Sequence, residues 1–148
     1  MELYLVQHGE AKSKEEDPER SLTELGKEEV GAVAMKLAEA GVKVDHIYHS
    51  PKLRALQTAD IFTTHLKSHA TETDGLKPMD DPNLIIEMID EKDEDLMLVG
   101  HLPHLSKLAA LLLTGKEDPV VDFTMGAVVC LVKDEKWQVK WILTPDLA

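Results

Sequence analysis

Two histidines, an arginine and a serine stand in this chain where side chains could grip and move a phosphoryl group. The run Leu3-Tyr4-Leu5-Val6-Gln7-His8-Gly9-Glu10 is apolar and then stops at a histidine followed by glycine. Far along the chain, Leu96-Met97-Leu98-Val99-Gly100-His101 ends in nearly the same way. Between them, His49-Ser50-Pro51 is followed by Arg54. A neutral imidazole has a lone pair that can attack phosphorus. A guanidinium offers a planar fork of donors matched to phosphate oxygens. Glycine beside each histidine lets the backbone come close to a ligand. Ser50-Pro51 suits the start of a helix, whose free N–H groups and dipole attract anions. Together these residue types suit phosphoryl transfer, with His8 as nucleophile and His101 as its companion.

These groups can meet only if the strands that carry them are parallel and end at one rim. In open α/β sheets, ligands bind outside the carboxyl ends of the strands. The chain has the elements for this. Residues 2–7 predict a buried strand, because the apolar run is continuous rather than alternating. Residues 10–20 are charged, contain Pro18 and predict a loop across the top of the sheet. Ser21-Leu22-Thr23-Glu24 has capping-box spacing, so Ser21 or Thr23 opens a helix. Val30, Val33, Ala34, Leu37 and Ala38 form its apolar face, and Gly41 stops it. A strand over 44–49 leads into a helix capped by Ser50, begun by Pro51 and running to Leu66. A short strand is expected over 71–73 and a loop over 75–82. A helix from Pro82 then shows Leu84, Ile85, Met88 and Ile89 on its apolar face. After the exposed acidic stretch 90–95 come a buried strand over 96–99 and a strongly apolar helix from Leu105 to Leu112, ended by Gly115. Residues 127–132 and 137–143 predict a hairpin. Alternating helical and strand patterns imply a three-layer α/β/α sandwich. Its central sheet is mostly parallel, with a C-terminal antiparallel hairpin, in a single domain over 1–148.

Composition narrows the partners. Sixteen basic against twenty-eight acidic side chains leave a net charge of −12 over 148 residues. Such a field repels nucleic acid and anionic membrane, and neither is expected as a main partner. It also repels phosphorylated ligands at long range, so a phosphate site needs strong local donors. Lys12, Lys14 and Lys52 could offset the field if they approach the rim. Cys130 is the one cysteine, which excludes an internal disulfide and fits a reducing cytoplasm. No apolar stretch reaches membrane-spanning length. The amino terminus enters a strand without a basic leader, so a cytoplasmic location is expected.

Leu5-Val6-Gln7-His8-Gly9-Glu10-Ala11 resembles the Arg-His-Gly signature of the histidine phosphatase superfamily. Leu22-Thr23-Glu24-Leu25-Gly26 resembles its leucine-threonine-x-x-glycine segment. Ser50-Pro51-Lys52-Leu53-Arg54-Ala55-Leu56-Gln57-Thr58-Ala59 resembles the second block, and Val99-Gly100-His101-Leu102-Pro103 the third. The blocks come in the family's order and span nearly the whole chain. The short length, with no cap inserted between the second and third blocks, is most similar to the SixA-type phosphohistidine phosphatases. The resemblance implies that His8 attacks phosphorus and carries a phosphohistidine intermediate, which water then hydrolyses. Attack needs a neutral His8 whose other nitrogen is held by a hydrogen bond, with a backbone carbonyl the expected acceptor. Arg54 and His101 would hold the equatorial oxygens. Gln7, Gly9 and Ser50 would be further phosphate neighbours. No metal or organic cofactor is implied. The implied partner is a phosphohistidine on a signalling or phosphotransfer protein. Two alternatives stay open: a small phosphorylated metabolite as substrate, and a non-catalytic phosphate-binding module.

Two departures accompany the resemblance. Gln7 stands where the wider superfamily usually has arginine, so a charged donor is exchanged for a neutral amide. The side chain of Gln7 could also face the sheet interior, away from ligand. Glu10, Asp80 and Asp81 are the candidate proton donors, none of them marked by a motif. Elsewhere, His65 and His69 are four apart but lack a third metal ligand. Cys130 reads as inert core, and Trp137 and Trp141 as hairpin packing.

Overall fold

Side chains alternate across a strand, so each apolar strand here must be covered on two sides. The computed structural model, which describes residues 1–148, meets that demand with helices on both faces of one sheet. The elements in order are β1 (Glu2–Gln7), α1 (Glu24–Glu39), β2 (His46–His49), α2 (Leu53–Leu66) and β3 (Ala70–Glu72). They continue with α3 (Pro82–Lys92), β4 (Leu96–Gly100), α4 (His104–Thr114), β5 (Val128–Lys133) and β6 (Trp137–Leu143). The six strands lie in the order β3-β2-β4-β1-β5-β6. β1 to β4 are mutually parallel, β5 runs antiparallel to β1, and β6 antiparallel to β5.

Leu3 and Leu5 of β1 face one helical layer with Leu96 and Leu98 of β4, where Ile85 and Ile89 of α3 and Leu105 and Leu108 of α4 pack on them. Tyr4 and Val6 face the other way with Met97 and Val99. There they meet Val30, Val33 and Leu37 of α1 and Ala55, Ala59 and Phe62 of α2. Burying one such side chain stabilises by about 1.5–3 kcal/mol, so the two clusters hold the three layers together. Every residue of β4 is buried, as its central place requires. No helix is long and apolar enough to cross a membrane.

The local signals resolve as follows. Thr23, not Ser21, caps α1: its Oγ1 accepts from the Gly26 N–H at 2.9 Å. Ser50 is not the cap of α2. That place falls to Lys52, because the helix begins only at Leu53, and the Ser50 hydroxyl pairs with His101 Nε2 at 2.8 Å. Leu84 is not core either, being 55% exposed. Ile85 and Ile89 are the buried residues of that stretch, with Ile86 and Met88 packing at the margin.

Candidate active site

The strand order places β4 between β1 and β2, so His101 emerges between His8 and Ser50. Backbone pairing carries on past the strand ends. His8 N–H donates to the Gly100 carbonyl at 3.1 Å, and Ser50 N–H to the Val99 carbonyl at 3.1 Å. On the outer side of β1, Gly126 N–H is shared between the carbonyls of Gln7 (3.0 Å) and His8 (3.2 Å). From the α1 side, the first helical turn presses against residues 9 and 10. A Cβ on Gly26 would lie 2.2 Å from the Glu10 carbonyl oxygen, and one on Gly9 would lie 2.7 Å from Val30 Cγ2. Only glycine allows that approach.

Within this frame the rings of His8 and His101 stand 5.1 Å apart between centroids. His8 Nδ1 lies 2.7 Å from the carbonyl oxygen of Gly9. A carbonyl only accepts, so Nδ1 carries the hydrogen and Nε2 keeps its lone pair. His8 is 8% exposed and His101 2% exposed. Ser50 Oγ pairs with His101 Nε2 and also accepts from the Lys52 N–H at 3.3 Å.

Helix α2 supplies three side chains at i, i+3 and i+4, which share one face. Arg54 is the first of them; its Nε is buried and finds no protein acceptor. Gln57 Oε1 accepts from the Leu22 N–H at 2.7 Å, tying down the end of the loop that precedes α1. Thr58 Oγ1 accepts from the Gly9 N–H at 3.0 Å and donates to the Arg54 carbonyl at 2.8 Å. One helical turn thus aligns the arginine, the loop and the His8–Gly9 turn.

Burial sets the electrostatics. It pushes the His8 imidazole down to about 4, with the Arg54 and Arg20 charges adding to the effect and the Gly9 carbonyl opposing it. Burial also pushes His101 down to about 3, helped by His8, Arg54 and Lys52. Both rings are therefore neutral at pH 7. Burial first, then the charge of Arg20, holds Arg54 below the usual guanidinium range. A guanidinium still stays protonated there. The carboxyl end of the sheet thus gathers a neutral imidazole with a free lone pair, a second neutral imidazole, and a cation that no carboxylate neutralises.

The other expected residues fall into two groups. Gln7 sits at the register position opposite Gly100, at the rim, and its Oε1 is buried without a partner. Gly9 spends its N–H on Thr58, so its contribution is the carbonyl that holds His8 rather than a donor to phosphate. Each of the three carboxylate candidates has one oxygen hydrogen-bonded outside the His8–Arg54–His101 group. Glu10 Oε2 accepts from the Thr23 hydroxyl at 2.6 Å, Asp80 Oδ2 from the Lys77 N–H at 3.0 Å, and Asp81 Oδ1 from the Asn83 N–H at 3.0 Å as the cap of α3. None hydrogen-bonds to His8, Arg54 or His101. His69 packs its ring on His46 at 5.0 Å.

Sequence reading passed over Arg20, Gln57 and Thr58. Arg20 sits in a charged loop where nothing local distinguishes it. The spacing 54, 57, 58 on a helix was the available signal for the other two.

A family model described as the histidine phosphatase superfamily (branch 1) matches residues 3–84. An uncharacterized protein of Picosynechococcus sp. is 34% identical over 139 residues, spanning 88% of this chain and 84% of its own. The phosphohistidine phosphatase SixA of Escherichia coli (strain K12) is 28% identical over 154 residues, spanning 98% of this chain and 94% of its own. A solved structure of the protein histidine phosphatase SixA complexed with tungstate superposes with a TM-score of 0.86 at 27% identity. It covers 99% of this chain and 98% of that one.

Proposed function

This chain belongs to the histidine phosphatase superfamily, and on that premise we propose that it hydrolyses phosphohistidine on a signalling or phosphotransfer protein through a phosphorylated His8. The observation that carries the proposal is the 2.7 Å contact of His8 Nδ1 with the Gly9 carbonyl, which leaves Nε2 free at the rim. Nε2 attacks phosphorus in line; the bond from phosphorus to the substrate's nitrogen breaks, and the leaving imidazole takes up a proton from solvent, which the later attack of water returns. Water then attacks the phospho-His8 adduct, inorganic phosphate departs, and His8 returns to its neutral form. Arg54 and His101 hold the equatorial oxygens, where positioning and charge stabilisation lower the barrier. The Gln7 amide is a further donor at the same rim. Ser50 orients His101.

The substrate class draws support from two sources. The likeness to SixA extends over nearly the whole of both chains. A nitrogen leaving group also demands less of a general acid than an alkoxide, which suits a site where none of Glu10, Asp80 and Asp81 hydrogen-bonds to His8, Arg54 or His101. The tungstate bound by the structural relative is a tetrahedral oxyanion like phosphate, which supports the phosphoryl reading.

The test is hydrolysis of a phosphohistidine-bearing protein by wild type and by His8→Ala, with the intermediate trapped by acid-free quenching. Phosphate release should fall at least about a thousandfold in the variant, and wild type should carry a base-stable, acid-labile phosphate on His8. Undiminished hydrolysis by His8→Ala would overturn the nucleophile. Much faster turnover of a serine-type phosphoester or a small phosphorylated metabolite would overturn the substrate.

A further inference from the structure

A groove of about 440 Å³ opens from Arg54, between the loop carrying Lys14, Pro18 and Arg20 and the start of α2 at Lys52. We infer that this groove docks an acidic segment of the phosphorylated protein, alongside the residue whose phosphate enters the His8 rim. The inference rests on the phosphatase reading above and adds to it what the substrate must carry.

Charge placement is the first argument. The chain has a net charge of −12, yet Lys14, Arg20, Lys52 and Arg54 all line this one groove, against the single acid Glu19. None of the four is neutralised within the protein. The two ion pairs of the chain are Lys27 with Glu24 and Lys140 with Glu2, both elsewhere. Four unpaired cations set close together repel one another, and an anionic guest relieves that repulsion. The direction of the Arg54 shift, downward partly through the charge of Arg20, reflects the same crowding.

The presentation of Arg20 is the second argument. Its backbone is left-handed, with φ of 54°, a conformation that costs a non-glycine residue energy and persists only where the surroundings impose it. Those surroundings are specific. The Asp17 carboxylate accepts from the Glu19 and Ser21 N–H groups and from the Ser21 hydroxyl, and the Arg20 N–H donates to the Asp17 carbonyl at 2.9 Å. Arg20 Nε donates to the Lys12 carbonyl at 3.0 Å. One edge of the guanidinium is thereby anchored while its terminal donors stay available to the groove.

Size and shape are the third argument. A single phosphate fills only a small part of 440 Å³. Lys14, Pro18 and Leu56 on the walls are exposed, so the groove is an open trough between two surface segments. A trough of this kind suits an extended stretch of Asp and Glu better than a small metabolite. In an acidic protein it also focuses attraction where the remaining surface repels.

The experiment compares two phosphohistidine peptides of equal length, one flanked by Asp and Glu and one by Asn and Gln, with the full chain as enzyme. The acidic peptide should show a KM about five- to tenfold lower, as expected for a few solvent-exposed charge pairs. That advantage should shrink as salt rises to about 0.3 M. Lys14→Glu and Arg20→Gln should each reduce the ratio between the peptides. Equal KM values, a ratio unchanged in both variants, or displacement of the acidic peptide by small polyphosphates at far lower concentration would overturn the inference. If neither peptide is hydrolysed, the phosphatase reading fails by itself. Docking is then measured as binding of the unphosphorylated acidic peptide by fluorescence anisotropy. Binding that Lys14→Glu weakens supports the groove, and no binding overturns it.

Discussion

The Thr58 hydroxyl holds the Gly9 N–H at 3.0 Å, joining α2 to the turn that aims His8. The same hydroxyl donates to the Arg54 carbonyl, so His8 and Arg54, the proposed nucleophile and phosphate ligand, share one support. Thr58→Val keeps the shape and removes the oxygen, leaving the Gly9 N–H without its acceptor. A buried donor left unmade costs about 1–3 kcal/mol. Urea unfolding should show that loss, with phosphohistidine turnover falling at least about tenfold, while Thr58→Ser restores both. A Thr58→Val enzyme with full turnover would detach the support from the chemistry.

Gln7→Arg should tighten binding of inorganic phosphate. The present Oε1 is a buried acceptor with no donor, and the neutral amide offers phosphate no charged donor. A guanidinium in its place removes the orphan and adds charged donors, roughly twice as strong as neutral ones. The gain expected on the hydrogen-bond scale is about 1–2 kcal/mol, read as a drop of about five- to thirtyfold in the inhibition constant of phosphate. Unchanged or weaker inhibition would mean that position 7 does not reach the anion.

Stability should fall as pH drops below about 6.5, through His8 and His101. Unfolded, each imidazole takes up a proton near its ordinary value of 6.5; folded, His8 resists until about 4 and His101 until about 3. Between those limits the unfolded state binds more protons, so acid favours it. Above 6.5 the full stability is present. Each ring contributes a slope on the order of 1 kcal/mol per pH unit across the window. His8→Asn should flatten the dependence of urea midpoint on pH between about 4.5 and 6 by roughly one proton's worth. The comparison with wild type cancels the other titrating groups, and an identical slope would refute the assignment.

The strands that carry the chemistry were readable in the chain, since a buried strand writes its burial as an unbroken apolar run and its end as the first polar residue. His8 and His101 stand where those runs break, and the parallel order that unites them follows from the helices between. Ser50 was misread because a serine before proline looks like a cap, whereas here a histidine from another strand claims its hydroxyl. Leu84 was misread because spacing alone gives a stripe and not its exact orientation against the sheet. Arg20 escaped notice because its role depends on a fold of the 11–22 loop around Asp17, and nothing periodic marks such a loop. The bonds of Glu10, Asp80 and Asp81 are likewise tertiary or turn-specific, so a list of nearby acids could not rank them.

The strand between β1 and β2 in space is the fourth to be made. A chain emerging from the ribosome thus exposes His8, the proposed nucleophile, long before residue 101 exists to sit beside it. Dephosphorylating power should appear abruptly, late in synthesis, and fragments ending before β4 should be inert however well their early helices form.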